Sequence, residues 1–199
     1  MKWLQYLRTV TGANAQSIDL IQEFLGYCSW PDNRYGKFMA VSGGFGESFF
    51  LLRAARMVVE RNVAISGACL DDPVCRAALD HARFAYSTDF GEIAASRYFL
   101  PFIDGDYLPG EASDGLPIMV DHHCKLILFS PRPSDFDALP SHARDRMLHV
   151  QMHRPVVPFD FGLLGDLRNE VADIRRWASE GLDRLTAAGR FGCAFCAAA

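Results

Sequence analysis

The order of apolar runs and amphipathic stretches along the chain predicts an α/β fold. Three short apolar runs, at residues 38–41, 63–65 and 126–129, have the length and composition of buried β-strands. Between the first two lies residues 45–60, where apolar side chains fall on nearly every side of a helical projection, so a helix buried against a sheet is expected. Strand, helix and strand together predict one βαβ unit with parallel strands.

Helical patterns also flank this unit. Residues 18–27 follow a predicted N-cap at Ser17, whereas residues 4–10 fit either a strand or a short helix. The clearest amphipathic helix is the last, with charged residues opposite an apolar stripe and a predicted stop at Gly189; the stripe comprises Leu163, Leu164, Leu167, Val171, Ile174, Trp177, Leu182 and Leu185. We therefore predict an α/β domain over 1–160 and a C-terminal helix with a flexible tail over 161–199.

The central part of the chain is less regular. Helical spacing predicts a helix over 74–82 and another over 141–153, with a strand at 83–86 between them. Residues 100–117 are rich in proline and glycine, and they predict a long irregular loop of the kind that often binds ligands or covers a site.

Composition and charge exclude several classes of protein. Half of the 199 residues are hydrophobic and 22% are charged, which is typical of a globular domain. The formal net charge of −4, without a run of Lys or Arg, argues against a nucleic-acid partner or an anionic membrane surface. The sequence contains neither a signal-peptide core at its start nor an apolar segment long enough to span a membrane, so a cytoplasmic protein is predicted, with a removed leader left open.

Six cysteines do not indicate a metal site or a disulfide framework. They stand at positions 28, 69, 75, 124, 193 and 196, which is not the spacing of a zinc finger, and a chain of this length can build a core without disulfides. The final Cys196-Ala-Ala-Ala matches a prenylation box only formally, because no polybasic stretch precedes it.

A glycine loop is the strongest indication of chemistry. Ser42-Gly43-Gly44-Phe45-Gly46 joins the first strand of the βαβ unit to its helix, where free backbone N–H groups bind anions or the oxyanion of an acyl-transfer intermediate. The loop lacks the Gly-Lys-Ser/Thr of a P-loop and does not match GxGxxG, because Glu47 and Ser48 follow Gly46. We predict an anion or oxyanion site at Gly43, Gly44 and Gly46, with a tight turn that binds nothing as the alternative.

The spacing of this loop and a second one resembles the ClpP/crotonase superfamily. A small-residue loop ending in Asp71-Asp72-Pro73 follows the second strand about 29 residues after Gly43, and residues 92–98 are similar to the stretch that carries the catalytic histidine in the peptidase branch. The resemblance implies a spiral core of repeated βαβ units. It also implies that Gly43 and Gly44 supply oxyanion N–H groups.

The residues at the catalytic positions depart from that family. Asp71 or Asp72 stands where the nucleophilic serine is expected, and Ser96 stands where the histidine is expected. The resemblance therefore implies a divergent or inactive acyl-handling protein, a pseudoenzyme in the peptidase sense, since a carboxylate does not replace a serine–histidine pair. In the crotonase branch Asp71, Asp72 or Glu92 would act as acid or base. The implied ligand is a small acyl compound or a peptide, without a cofactor, and the implied assembly is a homo-oligomer.

Two alternatives and one metal hypothesis remain at this stage. The glycine loop is also similar to the phosphate loop of sugar-isomerase (SIS) domains, although no second Ser/Thr-rich loop accompanies it. A non-catalytic assembly subunit that pairs through the Leu163–Leu185 helix is the other alternative. His149 and His153 would share one face of the helix predicted over 141–153, which is a spacing that metal ligands use, but such pairs are common without a metal and none is predicted.

Overall fold

A computed structural model describes residues 1–155 and 162–192 of the chain. Its centre is a five-stranded parallel sheet, accompanied by a separate antiparallel hairpin. The sheet contains β1 (Phe38–Ser42), β2 (Asn62–Ala64), β3 (Phe84–Ser87), β6 (Lys125–Ser130) and β7 (Met147–Gln151), and the hairpin contains β4 (Leu108–Glu111) and β5 (Pro117–Val120). The spatial order across the sheet is β2-β3-β6-β1-β7.

Helices cover both faces of this sheet. In chain order they are α1 (Lys2–Val10), α2 (Ala15–Cys28), α3 (Phe45–Val58), α4 (Gly67–Asp71), α5 (Pro73–Ala77), α6 (Phe90–Ala95), α7 (Phe99–Asp104), α8 (Ser141–Arg146), α9 (Gly162–Asn169) and α10 (Val171–Ala188). Short 3₁₀ turns span Ala78–His81 and Pro133–Ala138.

Successive side chains of β1 point to opposite faces of the sheet, and the apolar core forms one layer on each face. Met39 and Val41 join the apolar cluster made with α1, α2, α3 and α10, whereas Phe38 and Ala40 join the cluster on the opposite face. Every residue of β1 and β6 is buried, which explains why both strands read as continuous apolar runs in the sequence. The fold is therefore a doubly wound parallel sheet.

The connections that leave β1 and β6 go to opposite faces of the sheet. After β1 the chain enters α3, whose Phe50 and Leu51 pack in the first cluster; after β6 it enters the 133–138 turn, whose Phe136 packs in the second. The two strands are direct neighbours, and Ser42 pairs with Ser130 at their carboxyl ends. Adjacent strands with opposite connections form the point at which open α/β sheets bind ligands.

The spiral arrangement implied by the ClpP/crotonase resemblance is not confirmed. The described strands form one open sheet, and counting its five parallel strands in chain order gives the spatial order 2-3-4-1-5. A sheet of five parallel strands also occurs in flavodoxin-like folds, but the order here differs from the flavodoxin order 2-1-3-4-5. The mixed α/β class and the parallel βαβ unit are confirmed.

Residues 4–10, which fit either a strand or a short helix in the sequence, belong to a helix, α1. One other stretch differs from the expectation drawn from its proline and glycine content. Residues 100–117, expected to be an irregular loop, contain most of α7 and the first strand of the hairpin. Pro101 is tolerated because it lies in the first turn of α7, where no intrahelical N–H bond is lost, and Pro109 lies in a two-stranded hairpin that tolerates missing ladder bonds.

The helix predicted over 141–153 is wrong beyond residue 146. The chain leaves α8 at Arg146 and runs as β7 beside β1, because Leu148 and Val150 alternate into the first apolar cluster with the period of a strand. His149 and His153 are consequently four residues apart on extended backbone, about 13 Å, and not one helical turn apart. The shared helix face that would have given the two histidines metal-ligand spacing is therefore absent. Within residues 1–155 and 162–192, no cluster of three or more potential metal-ligating side chains occurs.

The C-terminal helix is interrupted and packs on its own chain. It divides into α9 and α10 at Glu170, whose carboxylate accepts hydrogen bonds from the N–H groups of Lys2 (2.7 Å) and Trp3 (3.0 Å) at the start of α1. Leu167, Ile174 and Leu185 from the apolar stripe are buried in the first cluster. The stripe thus packs within the domain, so it is not available as the interface of the assembly-subunit hypothesis.

Some sequence features lie outside the described residues, namely Cys193, Cys196 and the rest of the 193–199 tail. Among the helices that are described, none combines the length and apolar character needed to cross a lipid bilayer.

Close contact between α2 and α10 generates a prediction about two glycines. A Cβ on Gly26 would lie 2.3 Å from the backbone oxygen of Ala178, whereas a Cβ on Gly165 would meet nothing within 4 Å. We expect Gly26→Ala to lower the free energy of unfolding by about 3 kcal/mol through overpacking. The matched Gly165→Ala in α9 should be neutral or stabilising by up to about 1 kcal/mol, because alanine favours helix. Urea denaturation of both variants measures this, and equal destabilisation by both would contradict the packing described.

A buried histidine in the second layer makes stability depend on pH. His122 stacks on Phe102 with ring centroids 4.6 Å apart, and neither ring nitrogen has a hydrogen-bond partner among the described residues. Burial lowers its pKa to about 4, with a smaller contribution from His123.

The neutral form of His122 is therefore the one that the folded state favours. In the unfolded chain the imidazole binds its proton near pH 6.5. The contribution of neutral His122 to the free energy of unfolding is therefore complete above pH 6.5 and is lost as the pH falls toward 4. The loss amounts to about 3 kcal/mol. We expect His122→Phe to flatten the dependence of the unfolding free energy on pH between 6.5 and 4. The exposed neighbour offers a control, since His123→Phe removes only the smaller cause of the shift and should reduce the slope only slightly. An unchanged slope in His122→Phe would show that another group causes it.

Candidate functional site at the glycine loop

Neighbouring strands hold the glycine loop in place. Gly43 has φ +146°, a conformation that side chains rarely adopt, and a Cβ there would lie 2.9 Å from Cβ of Met152. Its N–H donates to the carbonyl of Ser130 (3.0 Å), and the N–H of Met152 donates to the carbonyl of Ser42 (2.7 Å). The loop after β1 is thereby fixed to the ends of both β6 and β7.

Gly44 caps the start of α3 without a side chain of its own. Its carbonyl accepts hydrogen bonds from the N–H groups of Glu47 and Ser48 and from the hydroxyl of Ser48, each at 3.1 Å. The first N–H groups of any helix lack intrahelical partners and carry a partial positive charge. An acceptor for them must come from a ligand, from water or from the chain itself.

The chain places a carboxylate at this helix start. Glu47 is largely buried, with 9% of its surface exposed, and its side chain lies against the backbone of Gly44: a Cβ on that glycine would be 2.2 Å from Oε2 and 3.5 Å from Oε1. Glu47 is the third residue of α3, and a glutamate at this position folds back toward the N-cap as in a capping box. The glycine loop therefore already has an anion of its own beside it.

A small cleft opens where the connections after β1 and β6 diverge. Its volume is about 160 Å³, and its lining consists of Gly43, Phe45, Ser48, Phe49, Leu52, Thr88, Phe129, Ser130 and Pro131. Phe45, the first residue of α3, is 69% exposed. Its ring packs on Phe49 with centroids 5.7 Å apart. The cleft is mostly apolar, with three hydroxyl-bearing residues.

The polar groups after β6 form their own network. Ser130 donates a hydrogen bond from its hydroxyl to the carboxylate of Asp135, and Arg132 pairs with the same carboxylate at 2.9 Å. The hydrogen bond from Ser130 and the guanidinium of Arg132 lower the pKa of Asp135. The cation that follows β6 is thus paired within the loop.

A serine–histidine contact lies on the other side of β1. Oγ of Ser42 and Nε2 of His149 are 2.9 Å apart, and Phe136 lies edge-on to the imidazole at 5.5 Å. Burial lowers the pKa of His149, and Asp137 opposes that shift. The geometry is that of a nucleophile and its base, but Ser42 is completely buried, so no substrate reaches it. Sequence reasoning missed this contact because it assigned His149 to a helix.

The residues implied by the ClpP/crotonase resemblance cluster away from the glycine loop. Oγ of Ser96 donates to Oδ1 of Asp71 (2.7 Å), so the structure does bring these two together. Asp72 caps α5 by accepting from the N–H groups of Val74 (2.8 Å) and Cys75 (3.2 Å). Glu92 is exposed on α6.

These side chains follow strands at the far side of the sheet. Asp71 and Asp72 come after β2, which is three strands from β1, or about 14 Å at the usual strand spacing. Their hydrogen bonds lie at the ends of short helices, and among the described residues none joins them to Gly43, Gly44 or Gly46. Of the predicted site residues, the structure places the three glycines after β1, at the switch point, and places the carboxylates at the same edge of the sheet but after β2 and β3, away from the glycine loop.

Comparisons with known proteins give a relationship of fold. Neither a family model nor a curated protein matches the chain. Among solved structures it is similar to the A form apo structure of the NrS-1 C-terminal region, with a TM-score of 0.69 at 12% identity over 90% of this chain and 46% of the other. An apo structure of the NrS-1 C-terminal region (305–718) gives 0.70 at 13% identity, over 90% and 47%.

The chain spans less than half the length of these structures. At such low identity the likeness shows the architecture and says nothing of residue roles.

Proposed function

We propose that this chain is a phosphate-loop-type α/β domain that does not hydrolyse nucleotides and serves as a non-catalytic module. A strand, a glycine loop and a helix at the switch point of a parallel sheet form the arrangement in which P-loop proteins hold phosphates. Gly46-Glu47-Ser48 stands where the Gly-Lys-Ser/Thr of such a loop would stand. The observation that carries the proposal is the carboxylate of Glu47 against the Gly44 backbone.

The charge of Glu47 decides against a bound phosphate. A lysine at this position attracts the phosphates, whereas a carboxylate about 4 Å from a phosphate charge repels it by about 4 kcal/mol at an effective dielectric constant of 20. The start of a helix contributes at most about 2 kcal/mol in favour of an anion. Repulsion exceeds attraction, so the loop keeps its own carboxylate and excludes a second anion.

The other groups that phosphoryl transfer needs are engaged as well. A P-loop enzyme holds Mg²⁺ with a Ser or Thr of the loop and with an aspartate. At the ends of β3 and β6, Asp89 accepts a hydrogen bond from the N–H of Glu92 at the start of α6, and Asp135 is bound to Ser130 and Arg132. Both carboxylates support local structure, which agrees with a domain without hydrolytic chemistry.

The acyl-handling and sugar-phosphate hypotheses remain predictions. An acyl-transfer site requires a nucleophile beside the oxyanion N–H groups, and the Asp71–Ser96 pair lies at the ends of the short helices that follow β2 and β3, away from the glycine loop. A sugar-phosphate site requires the loop to accept an anion, which Glu47 opposes. Homo-oligomerisation also stays a prediction, without α10 as its interface.

Nucleotide titration of charge variants tests the proposal. Wild-type protein should show neither saturable binding of Mg-ATP by isothermal titration nor its hydrolysis. Glu47→Lys replaces repulsion by attraction and should show saturable Mg-ATP binding, at least about tenfold tighter than the weakest binding that the wild-type titration would detect, equivalent to 1.4 kcal/mol.

Glu180→Lys provides the control, because it makes the same charge change at an exposed position on α10. Hydrolysis by the wild type, or equal gains in Glu47→Lys and Glu180→Lys, would refute the proposal. Thermal melting of each variant establishes that it is folded.

A further inference from the structure

The cleft beside the glycine loop has the size of one aromatic ring. Its volume is about 160 Å³, and a cavity of about 150 Å³ lined by Leu, Ile and Phe binds benzene. We propose that this cleft binds a small uncharged ligand that carries a single aromatic ring. Most sites for larger ligands exceed 300 Å³, so a complete nucleotide would not be enclosed here.

Aromatic side chains form the walls of the cleft. Phe49 lies 5.7 Å from Phe45 and 5.2 Å from Phe50, with the second pair nearly perpendicular at 83°. Phe129, at the end of β6, forms another wall and is buried. An aromatic ligand bound in the cleft would contact the edges and faces of these phenylalanine rings, which is how aromatic pairs prefer to pack. It would also cover Phe45, a large apolar side chain that is otherwise 69% exposed.

The polar groups of the lining restrict the remainder of the ligand. The hydroxyl of Ser48 is bound to the carbonyl of Gly44, and that of Ser130 is bound to Asp135. Thr88 is exposed and lines the cleft as well, so its hydroxyl can meet a polar group of the ligand. One uncharged donor or acceptor on the ring is therefore accommodated.

Charge excludes an anionic ligand. Among the described residues that line the cleft there is no Lys, Arg or His, and Glu47 adjoins Ser48 in the chain. The exclusion of anionic ligands rests on the proposed function, since both depend on Glu47. The choice of an aromatic ring rests independently on the volume and the phenylalanines.

Benzyl alcohol and benzoate have nearly the same size, so comparing their affinities separates the effect of the aromatic ring from the effect of negative charge. In amide ¹H–¹⁵N spectra, benzyl alcohol should shift the Gly43 and Ser48 resonances saturably, whereas benzoate should bind at least about tenfold more weakly. Phe45→Ala should weaken benzyl alcohol at least about threefold. Tyr107→Ala, which removes another exposed aromatic residue, should leave the affinity unchanged.

A second variant pair keeps the test decisive if truncation alters the loop. Thr88→Phe fills the cleft from an exposed position and should abolish the shifts, whereas Thr186→Phe on α10 should preserve them. Absence of saturable shifts in the wild type, equal affinity for benzoate, or equal loss in the two Thr→Phe variants would overturn the inference. Failure of ring binding together with absent Mg-ATP binding would refute this inference alone, whereas Mg-ATP hydrolysis by the wild type would refute the proposed function.

Discussion

The carboxylate of Glu47 lies against the backbone of Gly44 at the place where the connections of the parallel sheet diverge to opposite faces. This contact places a carboxylate of the chain itself at the start of α3, in the position of a capping-box glutamate. A second anion bound at this edge of the sheet would meet that largely buried carboxylate. The proposed lack of phosphate binding and the proposed discrimination of the cleft against anionic rings both depend on this single side chain.

Local patterns were sufficient to predict the βαβ unit. The strands at 38–41 and 63–65 are apolar and short, and the helix between them is apolar on most sides, so local composition and periodicity predict all three. The same reasoning failed at 141–153, because Leu148 and Val150 fit both a helical and a strand period over so few residues. The partner of β7 is β1, about 110 residues earlier in the chain, and such a distant pairing leaves no local signal.

The candidate site was predicted in part for the same reason. Gly43 and Gly44 follow a strand and begin a helix, so their place at the edge of the sheet follows from neighbouring residues. The relation of that loop to Asp71 depends on strand order, which spacing along the chain does not determine, and the sheet places β2 three strands away. The role of Glu47 was missed, although its position three residues after an N-cap glycine is a capping signal.

Exclusion of other anions from the start of α3 by the Glu47 carboxylate is the central claim. Titration of inorganic phosphate, followed through the amide resonances of Gly44 and Gly46 in wild-type protein and in Glu47→Ala, measures this at the atoms concerned. We predict no saturable shift in the wild type and a saturable shift of both resonances in Glu47→Ala. Saturable phosphate shifts in the wild type, with an affinity that Glu47→Ala leaves unchanged, would contradict the account.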